Sequence, residues 1–222
     1  MCLVLSAWCS PVFAVPVLQL DIGGGYYNTA GDPRYNDETI VSAGDVFTLY
    51  ALLWDKKGNL LDDDYYISMA LYPHVSQSST SDYGSFLFDG KTINVTEDMN
   101  PYGMPVGLTP HGVFDTYYIL HPFTFVATNT VGIYNTQDNP GQFDDFHPGA
   151  GLYYAAFAVD VTNLSDKVSI HFDLFSKNAK APFSHDADAQ SDPPPPVPEP
   201  GVLLLLGLGM AGVGLWKWKF RK

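Results

Sequence analysis

Cysteine is almost absent: Cys2 and Cys9 are the only two in 222 residues, and both fall within the first nine. From residue 10 onward the chain therefore has no disulfide, no thiolate nucleophile and no Cys-ligated zinc. Basic residues are also scarce, 11 Lys and Arg against 24 Asp and Glu, for a net charge of −13. Four of those 11 lie in the last six residues, so no basic cluster is left elsewhere to displace the counterions of a nucleic acid. No H-E-x-x-H, H-x-x-x-H, G-x-S-x-G or EF-hand spacing occurs. Nor does the stretch from Val15 to Gln190 hold a long segment of helical periodicity. What is present is apolar: hydrophobic residues make up 46% and charged ones only 16%. That composition suits a folded core rather than a disordered chain.

The two ends read as addresses. Met1 to Leu20 carries no charge, and Val12-Phe13-Ala14 places a small residue where a secretory leader is cut, so residues 1–14 are expected to be a signal peptide ending at Ala14. It would hand the chain to Sec export machinery. A buried first strand is the alternative. Cys9 is not a lipoprotein cysteine, because Trp8 stands where a small residue is required. At the other end, residues 191–196 form a linker with four consecutive prolines, which favour extended polyproline II. Residues 197–222 follow: Pro198-Glu199-Pro200, an uncharged apolar run from Gly201 to Trp216, and a tail carrying Lys217, Lys219, Arg221 and Lys222. As a helix the run would span roughly 24 Å, a short transmembrane anchor, with the basic tail on the cytoplasmic side. The order of motif, apolar run and basic cluster resembles the PEP-CTERM sorting signal of Gram-negative, polysaccharide-secreting bacteria. The resemblance implies an exosortase substrate, processed near Pro198-Glu199-Pro200; an uncut tail anchor is the alternative. Within the run, Gly207, Gly209 and Gly212 match G-x-G-x-x-G, but without the strand, amphipathic helix and distal acid a dinucleotide site needs.

Residues 15–190 are β-rich. Short runs of β-branched and aromatic residues, bounded by Gly, Pro, Asn and Asp, predict strands at 18–22, 45–53, 65–72, 85–88, 92–95, 117–126, 132–134, 153–161 and 168–175. Asp55 to Asn59 and Asp89-Gly90-Lys91 read as hairpin turns. Strict alternation from Val168 to Leu174 predicts one buried and one wet face. The expected fold is all-β, an antiparallel β-sandwich of jelly-roll type, followed by the single C-terminal transmembrane helix. Leu18-Gln19-Leu20-Asp21-Ile22-Gly23-Gly24, Phe47 to Leu52, Tyr65 to Ser68, Phe146 to Gly149 and Ala181 to Ala187 resemble the choice-of-anchor N family. That family is an extracellular domain joined to alternative C-terminal anchors, and the resemblance implies location, not chemistry.

Candidate chemistry is thin. Ser184-His185-Asp186 cannot form a relay, since consecutive side chains point in different directions. Of the six histidines, His147 and His185 lie in loops near carboxylates and form the best pair for a metal, with loop ordering as the plainer role. Asp62-Asp63-Asp64, Asp138 with Asp144 and Asp145, and Asp186 with Asp188 offer hard oxygen ligands for a structural calcium ion, although Asp is common in turns for its own reasons. Four tyrosine doublets, at 26–27, 65–66, 117–118 and 153–154, each put one ring toward the core and one outward if they lie on strands. The outward set would make a sugar-stacking platform or simply pack across strands. No catalytic residue emerges. The expectation is an exported, non-enzymatic cell-surface or exopolysaccharide-matrix protein, with a carbohydrate-binding module as the alternative. Without residues 1–14 and 201–222 the chain has 7 basic against 24 acidic residues, or −17.

Overall fold

The computed structural model describes residues 15–28, 39–56, 58–99, 101–108, 111–143, 149–182 and 185–187. Ala14, Asp144, Asp145, His147, Asp188 and the whole of 191–222, with its linker, sorting motif and basic tail, lie outside them. Thirteen strands run in chain order: β1 (Leu18–Ile22), β2 (Tyr26–Tyr27), β3 (Ile40–Val41), β4 (Val46–Leu53), β5 (Tyr65–Tyr72), β6 (Ser85–Phe88), β7 (Lys91–Asn94), β8 (Tyr102–Gly103), β9 (Thr116–Phe123), β10 (Thr130–Val131), β11 (Leu152–Asp160), β12 (Ser169–Ser176) and β13 (His185–Ala187). They form two sheets, one ordered β1-β4-β11-β6-β7 with β10 on β11, the other β2-β3-β13-β12-β5-β9-β8. No α-helix occurs among the described residues, so none there is long and apolar enough to cross a membrane as a helix. The predicted transmembrane run 201–216 lies beyond what is described.

Alternation builds the sandwich. Leu18, Leu20 and Ile22 of β1 and Leu49, Ala51 and Leu53 of β4 join Ile67, Met69 and Leu71 of β5 and Ile170, Phe172 and Leu174 of β12 in one buried core. Phe47 of the first sheet meets Phe172 of the second edge-to-face, ring centroids 6.2 Å apart. His121 lies half-buried at the edge of this core, its ring centroid 5.1 Å from that of Phe88 and 5.4 Å from that of Phe157, and burial holds its pKa below the usual range.

Four expectations need correction. The run 132–134 is no strand, because the β10 pairing ends at Val131. The sheets are not wholly antiparallel: β13 runs parallel to β3, with His185 opposite Ile40. Asp55 to Asn59 is no hairpin, because β4 and β5 belong to different sheets and this segment carries the chain across the sandwich. Finally, β12 has no wet face; all but Asp173 are buried. The reason is a second layer. Segment 111–115, with Val113 and Phe114, packs over Ala70, Tyr72, Tyr118 and Leu120 on the outer side of the second sheet. A matching cover, Tyr134 and Phe143, lies over Leu52 and Leu152 on the outer side of the first. Polar residues on these outer faces are thereby enclosed, and each must find a partner.

Candidate functional site

Each of the two covered faces holds a buried polar cluster. On the first sheet, Gln19 and Asp21 point away from the core and are 2% and 0% exposed. Gln19 Nε2 donates to the Tyr134 carbonyl at 3.1 Å, and its Oε1 accepts from Thr136 N at 2.9 Å. Asp21 Oδ1 accepts from Ile22 N at 3.0 Å and Gly141 N at 2.7 Å, while Oδ2 lies 2.5 Å from the Tyr134 hydroxyl. That hydroxyl is also within hydrogen-bond reach of the Asn139 carbonyl. One phenolic proton cannot serve both acceptors. Below about pH 6 a proton on Asp21 resolves this, with the carboxyl donating to Tyr134 and Tyr134 donating to Asn139. Burial pushes the Asp21 pKa up to about 6, against hydrogen bonds that oppose the shift. The cluster pins the cover to β1; it is structural.

On the second sheet, β12 places His171 and Asp173 two residues apart and hence on one face. β13 brings Asp186 directly opposite His171 in the ladder. Segment 111–115 supplies His111 from above. His111 Nε2 lies 3.2 Å from His171 Nε2, and Asp173 Oδ1 lies 3.3 Å from the former and 3.4 Å from the latter. Behind them, both Asp186 oxygens lie 3.2 Å from His171 Nδ1. The side chains of His171, Asp173 and His111 are 1%, 13% and 34% exposed, so the cluster is most open to solvent on the His111 side. Burial would lower the His171 pKa, but Asp186 and Asp173 outweigh it and hold the pKa above the usual range. Desolvation likewise acts on Asp173, yet His171 and His111 keep its pKa low. The arrangement stabilises a positive charge between the three groups.

Among the described residues, His111, His171 and Asp173 are the one group of three His, Cys, Asp or Glu whose ligand atoms lie within 4.8 Å of one another. None of the three was a sequence-derived candidate. The spacing His171-x-Asp173 on an alternating strand was a legible signal, whereas His111, 60 residues away, was not. The predicted candidates fall elsewhere. His185 and Asp186 alternate on β13, so His185 shares the core side with Phe172 and Asp186 the outer side with His171; their divergence excludes a relay with each other. Asp186 thus serves a histidine. Asp63 accepts from Leu60 N at 2.8 Å in a local turn, and Asp63 and Asp64 line one shallow hollow. Asp138 accepts from Asn135 Nδ2 at 2.8 Å within its own loop.

The tyrosine doublets are spent largely on packing. Tyr65 and Tyr118 are buried and the other six half-buried, none fully exposed. Tyr66 stacks on Phe175 with centroids 5.5 Å apart, Tyr117 meets Tyr102 at 5.1 Å, and Tyr154 meets Phe143 at 5.3 Å. Tyr66 borders a hollow of about 290 Å³ whose rim includes Asp63, Asp64 and Asn178.

Comparison with known proteins places one part of the chain. Residues 196–222 match the PEP-CTERM protein-sorting motif. The chain therefore carries the sorting signal of an exported precursor directed to an exosortase. Searches of curated proteins and of solved structures found no match.

Proposed function

We propose that this chain is a non-enzymatic surface or matrix protein of a Gram-negative bacterium, exported through Sec, held in the membrane by residues 201–216 and released or re-anchored by exosortase near Pro198-Glu199-Pro200. The sorting match at 196–222 is the observation that carries the reading. The domain ahead of it suits that life: it is stabilised by a continuous apolar core, without any cysteine beyond Cys9. Its acidity keeps it soluble and away from anionic surfaces. The partial resemblance to the choice-of-anchor N family is consistent with the same location. Replacing Pro198, Glu199 and Pro200 by alanine is expected to leave export intact and to make the membrane-bound precursor accumulate. Unchanged processing of that variant would overturn the reading.

A second reading, a carbohydrate-binding module, is favoured by one feature, the hollow beside Tyr66 with its carboxylate and amide rim. An aromatic wall with polar neighbours is the usual chemistry for a sugar ring. Under this reading Tyr66→Ala abolishes retention on the host's own exopolysaccharide. Equal retention of variant and wild type would sink it.

A further inference from the structure

We propose that His111, His171 and Asp173 form a binding site for a divalent transition metal of the zinc type, which clips segment 111–115 onto the outer face of β12. The three donor atoms, His111 Nε2, His171 Nε2 and Asp173 Oδ1, are 3.2, 3.3 and 3.4 Å apart. Ligands about 2.0–2.1 Å from a tetrahedral ion are about 3.3–3.4 Å from one another. An octahedral ion at about 2.1 Å would bring neighbouring ligands to about 3.0 Å, closer than any of these pairs. The triangle thus has the dimensions of one face of a tetrahedron. The half-exposed His111 side leaves the fourth corner to water.

Three features around the triangle point the same way. Asp186 accepts from His171 Nδ1, which directs the Nε2 lone pair into the cluster, the carboxylate–histidine arrangement that supports a metal ligand. Two imidazole Nε2 atoms face one another, and two facing lone pairs repel unless a proton or a cation lies between them. The second oxygen of Asp173, Oδ2, is buried with no hydrogen-bond partner, so among the described residues only the two histidines approach this carboxylate. Imidazole nitrogen and a single carboxylate suit zinc, not the all-oxygen shell of calcium. The role is mechanical. With no cysteine after Cys9, the domain gains from the ion a cross-link between residues 111 and 171.

The test uses the purified full-length chain in detergent, stripped of metal with a chelator and titrated with Zn²⁺, and with Co²⁺ as a spectroscopic substitute. One saturable equivalent is expected, with the intense visible absorption of four-coordinate Co²⁺ and a higher Tm in Zn²⁺. His111→Ala changes only a half-exposed ligand, so the domain still folds, and it is expected to lose both the absorption and the Tm rise. Asp186→Asn keeps all three ligands and is expected to weaken binding ~10–100-fold. A chain that takes up no equivalent, with a proton as the sole occupant of the cluster, would overturn the proposal. So would His111→Ala binding Zn²⁺ as wild type does. Neither result bears on exosortase processing.

Discussion

Asp21 carries its charge in a place that disfavours it. Its pKa is raised from 3.8 to about 6, so the folded state binds this proton more tightly than the unfolded one. The sign follows: its contribution to stability is fully present below the unfolded pKa and is lost as pH rises through about 6. The difference amounts to about 3 kcal/mol. Asp21→Asn keeps acceptors for Ile22 and Gly141 and supplies a donor for Tyr134. Urea titrations are expected to find the variant more stable than wild type at pH 8, by up to that amount, and no better at pH 4. An equal loss at both pH values would contradict the protonated network. Beside it, Gly141 has φ +73, and a Cβ there would fall on the Gly25 backbone. Gly141→Ala is expected to cost at least about 1–2 kcal/mol in the same assay. At this scale the sequence was least readable. Asp21 reads as an ordinary strand acid until residues 113 or more positions away close over it. The pairing of His171 with Asp173 was there in the alternation of β12, but His111 entered only through the path of the chain.

Strands were legible where packing, not partnership, makes them. The runs at 18–22, 65–72 and 85–88 match β1, β5 and β6, because alternating apolar side chains set both extent and face. The strands β2, β3 and β8 have two residues each and β13 three; they exist by pairing with neighbours, so local composition does not reveal them. The Asp89-Gly90 turn is as predicted, with φ of 49 and 78 between the paired Phe88 and Lys91. The Asp55 segment has the same turn-forming letters and a different job, which only the sheet assignment of its flanking strands reveals. β12 shows why alternation misled: His171, Ser169 and Asp173 are polar, yet they face a covering segment, not water. Phe172 sits at the centre of the other side, 0% exposed. Phe172→Ala is expected to destabilise by about 3–5 kcal/mol in denaturant titration. A loss below about 1 kcal/mol would contradict a single core shared by both sheets.

On the scale of the whole molecule, the net charge of −13 averages unlike parts. Residues 15–200 carry 7 basic against 24 acidic groups, and the last six residues hold four basic groups and no acidic one. An acidic folded domain is joined to a basic tail, and that tail belongs to the sorting motif at 196–222. Under the proposed processing, the mature protein keeps the first part and loses the second. Intact-mass spectrometry of the native protein reads both ends at once. The account predicts a chain beginning at Val15 and ending near Pro200, without the apolar run and the basic tail. A mass that still includes Lys222 in an exosortase-positive cell would contradict it.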